Sequence, residues 1–372
     1  MPPVTIDGTN GITTPMYNGT ITANAVTPSV NMKNRIINGN MSIDQRNAGA
    51  SVTVPASNVY TVDRWSALGT QASKFTVQQS TTAPSGFVNS LKLTSSSAYS
   101  LASTDAFQIQ QYIEGYNVAD LGLGTTNAST ITISFWVQAS LTGTYGMWLT
   151  NNDGSRIYPT SYTINSANTW EYKTITLTGD LTGSWTSNNT TGLRVVWTLG
   201  YGTNYTGATP NVWNTSLYVP SGCVNFVGTN GATFYITGVQ LEVGSTATSF
   251  DYRPYGTELA LCQRYFQGTT NPNDGNNYYY GSGSNLTSSI AYVTYPFLVS
   301  MRASPTLTSS GTFNIRGGAN NETVTSVSLV TSSTTTAGVN FTVGGATLTQ
   351  GYGVVARSGA STANTLFFSA EL

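Results

Sequence analysis

The sequence predicts an all-β protein, and three observations predict it. Apolar and polar residues alternate with period two in one short run after another. Clusters of Gly, Asn, Ser and Thr separate those runs, and only one short segment has helical spacing. The predicted order is an extended N-terminal arm over residues 1–33 and a β-sandwich or jelly roll over 34–254. A short linking helix follows over 255–268, then a small C-terminal β-sandwich over 269–372.

Composition narrows the function classes. Only 8% of the 372 residues are charged, the net charge is −1, and histidine is absent. An average soluble domain is roughly 25% charged. Without His there is no Ser-His-Asp or Cys-His relay and no His-ligated metal. Without a basic surplus a dedicated nucleic-acid binder is excluded. Seven Trp, 22 Tyr and 13 Phe within 39% hydrophobic residues argue against disorder. Met1 to Gly8 carries no secretory signal, and no run of eighteen apolar residues spans a membrane. A surface typical of extracellular proteins without an export signal points to release by host lysis, in a virus particle. Cys223 and Cys262 have neither metal nor disulfide-framework spacing and read as two buried thiols.

The elements are justified in order. In the arm, Val4, Ile6, Ile12, Met16 and Ile21 are isolated and aperiodic, so the segment has no core of its own. Ser90–Thr94, Thr130–Val137, Trp170–Thr178, Gly192–Leu199 and Ala232–Val243 read as half-buried antiparallel strands. In the second of these, Ile131, Ile133, Phe135 and Val137 face one way and Thr130, Thr132 and Ser134 the other. Trp136 and Trp197, inside strands, are assigned to the core. The helix runs from Pro254 to Phe266, with Thr257 as its cap, Glu258 in its first turn, and Leu259, Cys262 and Phe266 on one face. A polar loop, Thr269 to Asn277, precedes six further strands: Ile290–Val299, Phe313–Arg316, Val324–Val330, Val339–Val343, Gly353–Ala356 and Thr365–Ser369.

Several segments are more specific. Asn34-Arg35-Ile36-Ile37-Asn38-Gly39-Asn40-Met41-Ser42-Ile43-Asp44-Gln45-Arg46 is followed by Tyr60-Thr61-Val62-Asp63-Arg64-Trp65. Then come Gly238-Val239-Gln240-Leu241-Glu242-Val243-Gly244, Phe250-Asp251-Tyr252-Arg253-Pro254 and Glu258-Leu259-Ala260-Leu261-Cys262-Gln263-Arg264-Tyr265. This ordered series resembles the tail-fibre and carbohydrate-binding-like proteins of bacteriophages and prophages, over roughly residues 34–268. The segment from Phe297 through Met301–Thr306 is similar to the small β domain that follows this helix in such proteins. The resemblance implies a jelly-roll module on a virion appendage, assembled as a homotrimer. Read physically, Asp63 and Arg64 form an ion pair roofing a core Trp65, and Arg253 partners Asp63, Glu242 or Asp251.

The expected protein is therefore a phage tail fibre, a receptor-binding protein attached to the particle through residues 1–33. It binds host cell-surface polysaccharide without catalysis and resides in the virion. The alternative is a purely structural virion component such as an adaptor or capsid fibre. Nucleic acid, membrane insertion, metal and cofactors are not expected. Sugar recognition needs flat apolar faces beside amide and hydroxyl groups. Trp148, Trp185 and Trp213 sit near loops and Tyr278, Tyr279 and Tyr280 form an exposed cluster, which makes these six the candidate glycan-binding residues. Tyr201 and Tyr205 lie in the Gly-rich loop after Gly200. Glycan hydrolysis needs two carboxylates about 5–10 Å apart, and no pair stands out. Asn151–Ser155 is oxygen-rich but reads as a turn rather than a Ca²⁺ loop. With so few charges, stacking and neutral hydrogen bonds are expected to supply the affinity, with little salt dependence.

Overall fold

Alternation along the strands decides how the chain folds, because residues of one parity need a partner sheet to cover them. The computed structural model describes residues 32–271, 276, 278–317, 320–359 and 363–372. The arm expected at 1–33 lies outside these except for Met32 and Lys33, as do positions 272–275 and 277 of the polar loop.

The first part contains strands β1 (Val52–Thr53), β2 (Asn58–Tyr60), β3 (Ser66–Gly69), β4 (Phe75–Ser80), β5 (Ser90–Ser95) and β6 (Ala106–Glu114). It continues with β7 (Ile131–Ala139), β8 (Gly143–Thr150), β9 (Ile157–Ile164), β10 (Glu171–Leu177), β11 (Thr191–Tyr201) and β12 (Thr233–Val243). One sheet has the order β1-β4-β5-β12-β7-β10 and the other β2-β3-β6-β11-β8-β9. Strands close in sequence thus alternate between the two sheets, which makes a jelly-roll sandwich. Between the sheets, Trp197 lies 5.4 Å from Trp65 and 5.7 Å, edge-on, from Phe135. Phe75, Phe107, Phe226 and Phe234 complete this centre.

Trp136 does not join the core. Its neighbours Phe135 and Val137 do, so period two turns its ring outward, where it is half-buried against Tyr172 at 5.3 Å. Trp197 is core as expected. Cys262 is buried, whereas Cys223 is half-buried, on the loop that covers β8, with its thiol donating to the Pro220 carbonyl.

The segment from Asn34 to Arg46 is a plug rather than a strand. Asn34 Oδ1 accepts from the amides of Ile36 and Leu241, and Asn38 Nδ2 donates to the carbonyls of Ile43 and Asp63. Gly39 presses on β12 so closely that a Cβ would stand 2.1 Å from the Val239 carbonyl oxygen. The ion pair expected between Asp63 and Arg64 does not form. Asp63 pairs with Arg46 at 3.0 Å, while Arg64 pairs with Glu371 and lies over the Tyr265 ring, 3.5 Å from its centroid. Asp63 and Arg64 lie in a turn, Arg64 at φ +69°, and each finds a partner distant in sequence. Trp65 is nonetheless core. Arg253 pairs with Asp251 at 3.7 Å, but its nearer carboxylate is Glu258 at 3.2 Å.

Helix α1 spans Tyr255–Gln263: Pro254, not Thr257, stands at its cap, without a side-chain bond, Thr257 lies inside it, and Phe266, expected on its face, opens the next strand. Its buried Glu258 carboxylate accepts from the Asn38 amide, which ties helix to plug. No helix among the described residues is long and apolar enough to cross a membrane.

The C-terminal part contains β13 (Phe266–Asn271), β14 (Tyr279–Asn285), β15 (Ile290–Pro296), β16 (Thr306–Ser310), β17 (Phe313–Gly317), β18 (Asn320–Ser332), β19 (Thr336–Val343), β20 (Gly353–Ser358) and β21 (Asn364–Ser369). β13-β21-β16 form a three-stranded sheet, and β14-β15-β19-β18-β17-β20 close into a barrel. The small C-terminal β-sandwich is thus more closed than expected. β14 pairs with both β15 and β20, so no barrel edge stays unpaired. Val293, Phe313, Ile315, Val339 and Phe341 fill its interior.

Asn34–Leu372 forms one compact unit. Charged groups join its two parts. Glu114 of β6 takes Arg264 at 2.5 Å and the Tyr265 hydroxyl at 2.6 Å, and Arg46 bridges Asp63 and Glu371. Arg302 donates to the carbonyls of Ala370 and Asn189. Burial raises the Asp63 carboxyl above its ordinary value, against the opposing pull of Arg46.

Candidate functional site

The second sheet has a polar and aromatic outer face. On β11, Leu193, Val195 and Trp197 point into the core, and Arg194, Val196 and Thr198 point out. On β6, Phe107 and Ile109 point in, and Gln108, Gln110 and Tyr112 point out. Register sets Arg194 opposite Tyr112, and Val196 between Gln110 and Trp148 of β8. The chain after β11 folds back over this face: the Tyr218 and Val219 amides donate to the Tyr205 carbonyl. Gly146 permits that approach, because a Cβ there would stand 2.7 Å from both Val219 and Thr198 side chains.

The result is a cleft of about 180 Å³ lined by Leu68, Gln108, Trp148, Arg194, Tyr201, Tyr205 and Tyr218, among others. Trp148 is its floor, only 2% exposed. Tyr218 meets the indole edge-on at 4.7 Å, Tyr205 lies 5.7 Å from Tyr218, and Tyr201 lies 5.8 Å from Tyr205. These three half-buried tyrosines are its walls. A hydrogen-bond chain runs beneath them. Trp148 Nε1 donates to the Tyr201 hydroxyl at 3.1 Å, which donates to Gln108 Oε1. Gln108 Nε2 donates to Gln110 Oε1 at 2.6 Å, and Gln110 Nε2 to Asn58 Oδ1 at 3.0 Å. Burial pushes the Tyr201 hydroxyl pKa up, opposed by the nearby Arg194 charge, so this hydroxyl stays protonated. Arg194 lies over the Trp148 ring, 4.5 Å from its centroid, and 5.5 Å from that of Tyr112.

The first sheet bears a second, wider cleft of about 570 Å³ on its own outer face. Trp136 and Tyr172 line it together with a trio of Phe87, Phe250 and Tyr252, whose centroids are 4.9–5.5 Å apart. Gly238, at φ +61°, forms the β12 bulge there, and a Cβ on it would strike the Phe87 ring at 2.6 Å. Every residue lining this cleft is uncharged.

Of the six residues expected from the sequence, only Trp148 enters the second-sheet cleft. Trp185 and Trp213 meet edge-to-face at 5.5 Å elsewhere on the sandwich. Their indole N–H groups are used internally: Trp185 donates to Asp180 and the Thr182 carbonyl, and Trp213 to the Thr178 carbonyl. Tyr279 is 62% exposed on the barrel, while Tyr280 turns inward, 5.2 Å from Phe313. Tyr278 is half-buried, its amide bonded to the Ser358 hydroxyl. Sequence reasoning missed Gln108, Arg194 and Tyr218. The alternation Phe107-Gln108-Ile109-Gln110 and the single charge within Leu193-Arg194-Val195 were the available signals. In the Asn151–Ser155 turn, Asp153 accepts from the Ser155 amide and hydroxyl, and Asn151 Nδ2 donates to the Ser155 hydroxyl. Among the described residues no three His, Cys, Asp or Glu side chains gather as a metal site.

No family model and no curated protein matches the chain. Among solved structures it is similar to the enzymatically active domain of tailspike protein 4 from bacteriophage CBA120. That match has 11% identity and TM-score 0.31, over 57% of this chain but only 21% of that one, about a fifth of its length. It is also similar to a family 11 carbohydrate-binding module from Clostridium thermocellum solved with a mixed-linked tetrasaccharide (9% identity, TM-score 0.28, 54% of this chain and 100% of that one). A third is the N-terminal cellulose-binding domain of Cellulomonas fimi β-1,4-glucanase C (11% identity, TM-score 0.25, 46% and 84%). These are distant likenesses in overall shape.

Proposed function

We propose that the protein is a non-catalytic glycan-binding fibre of a phage virion, and that the second-sheet cleft is where it holds sugar. The observation that carries this reading is the joint presence of three half-buried tyrosine walls, an indole floor and fixed polar groups in a concavity sized for one sugar ring. Ring faces stack on sugar C–H groups, and the amide and guanidinium groups replace water around hydroxyls. No carboxylate lines the cleft, which supports binding without hydrolysis. The motif series from Asn34 to Tyr265 supports placement on a tail fibre, with residues 1–33 as the anchor to other virion proteins. On this reading the fibre is a homotrimer that leaves the host by lysis. One such shallow site gives affinity in the millimolar range, about 4 kcal/mol, and three linked copies raise avidity by a factor on the order of 10² or more.

The test is to probe the full chain and a Tyr205→Ala variant with arrayed bacterial surface polysaccharides. Binding by the parent and loss in the variant are expected. No binding by the parent at millimolar saccharide overturns the glycan reading and leaves a purely structural virion component. Mass measurement should give a trimer, and a stable monomer at micromolar concentration contradicts that part.

A further inference from the structure

We infer, resting on the glycan reading of the second-sheet cleft, that the sugar it takes carries a carboxylate and that Arg194 is the group that reads it. Most other arginines in this protein have committed partners: Arg302 donates to backbone carbonyls and Arg357 to Asn321. Arg35, Arg46, Arg64, Arg156, Arg253 and Arg264 each lie within 4 Å of a carboxylate oxygen. Arg194 has no such partner among the described residues, and its Nε is buried without a hydrogen bond. It is nevertheless held in place. Its backbone belongs to a strand paired on both sides, and its guanidinium lies against Trp148 and Tyr112. A cation stacked on aromatic rings keeps its in-plane N–H fork free for an acceptor.

The amide of the cleft is partly committed, and the Tyr205 and Tyr218 hydroxyls that also line it offer only neutral hydrogen bonds. The Gln108 oxygen takes the Tyr201 hydroxyl, the Gln108 amide is given to Gln110, and the Gln110 amide to Asn58. The charged hydrogen-bonding capacity in the cleft is therefore that of a planar, multiple donor. Its geometric complement is a planar anion with two acceptors, and a carboxylate binds such a fork through two parallel bonds. No acidic residue lines the cleft to cancel the charge. The chemical class that follows is a saccharide bearing a uronate or a sialate-type acid, in place of the neutral sugar that overall composition suggests.

The experiment uses the full chain and oligosaccharides of glucuronate, galacturonate, mannuronate and sialate, each beside its carboxyl-reduced form, with phosphorylated sugars as a further set. Affinities are measured by titration calorimetry at low and high salt. At least one acidic form should bind, its reduced form at least about tenfold more weakly, and added salt should weaken the acidic form alone. Arg194→Gln should erase the preference, and Arg194→Lys should keep part of it; melting curves of both check the fold. If Arg194→Gln fails to fold, the reduced pairs and Arg194→Lys still decide. Equal binding of acidic and reduced forms, binding of phosphorylated sugars only, or an unchanged preference in a folded Arg194→Gln overturns this inference and leaves the glycan reading intact. Absence of binding to every saccharide at millimolar concentration overturns the glycan reading itself.

Discussion

Trp197 and Trp148 stand on adjacent strands of one sheet, and solvent reaches neither to any extent, at 0% and 2% exposure. Their surroundings differ. Trp197 meets Phe135 from the opposite sheet and Trp65 from the turn before β3, within the hydrophobic core. Trp148 faces outward and is covered by Arg194, Tyr218 and the returning loop, and its indole N–H starts a chain of side-chain hydrogen bonds. Burial alone does not distinguish a core residue from the floor of a site. Strand parity and the polarity of what lies on top do.

Removing each ring measures that difference. Trp197→Ala opens a void between two fixed sheets and should cost about 3–5 kcal/mol in denaturant unfolding. Trp148→Ala should cost about 2 kcal/mol, since only the covering loop loosens, and should abolish saccharide binding. Protease cleavage between residues 202 and 224 should accelerate in that variant while the sandwich stays folded. Equal losses for the two variants would mean that the outer face is merely a second core.

Trp136 extends the comparison to the other sheet. Half-buried against Tyr172, it should cost roughly 1 kcal/mol on truncation to Ala, with saccharide affinity unchanged. A large drop in affinity would transfer the site to the first-sheet cleft.

The smallest effect concerns Glu171 on the edge strand β10. Burial raises its pKa, but the bonds from Lys173, Ser166 and Asn165 outweigh that and bring it to about 2 from an ordinary 4.5. A folded-state value below the unfolded one stabilises fully above pH 4.5, and that stability is lost as the pH falls from 4.5 towards 2. The pair is near the surface, so the gain is under about 1 kcal/mol. Glu171→Gln should lower stability slightly at neutral pH and flatten its acid dependence in that window. An unchanged acid limb in denaturant titrations at stepped pH would contradict the assignment.

What was legible in the sequence follows from what is local. Strands such as Thr130–Val137 and Gly192–Leu199 were legible because alternation is a property of neighbours. The same rule, applied to Trp136, sets it with Thr132 and Ser134 on the outer face; a place inside a strand does not by itself put a residue in the core. β13, β14 and β16 went unrecognised because Gly, Ser and Thr blur their pattern. Barrel closure depends on β14 pairing with β20, some seventy residues away, which no local pattern encodes. The partners of Asp63 and Arg64 are likewise set by distant chain, at Arg46 and Glu371. The site was half legible. Trp148, Tyr201 and Tyr205 drew notice as loop-flanking aromatics, whereas Gln108, Arg194 and Tyr218 meet them only through the register of three strands and a returning loop.

The central claim is that the second-sheet cleft, and not the tyrosine cluster of the barrel, holds the sugar. Its most direct test is the affinity of the best-binding saccharide for Tyr205→Ala and Tyr279→Ala side by side. Both rings are accessible, and neither belongs to a hydrophobic core. The account predicts a loss of about tenfold or more for Tyr205→Ala and no change for Tyr279→Ala. Full affinity in Tyr205→Ala together with a loss in Tyr279→Ala would contradict it.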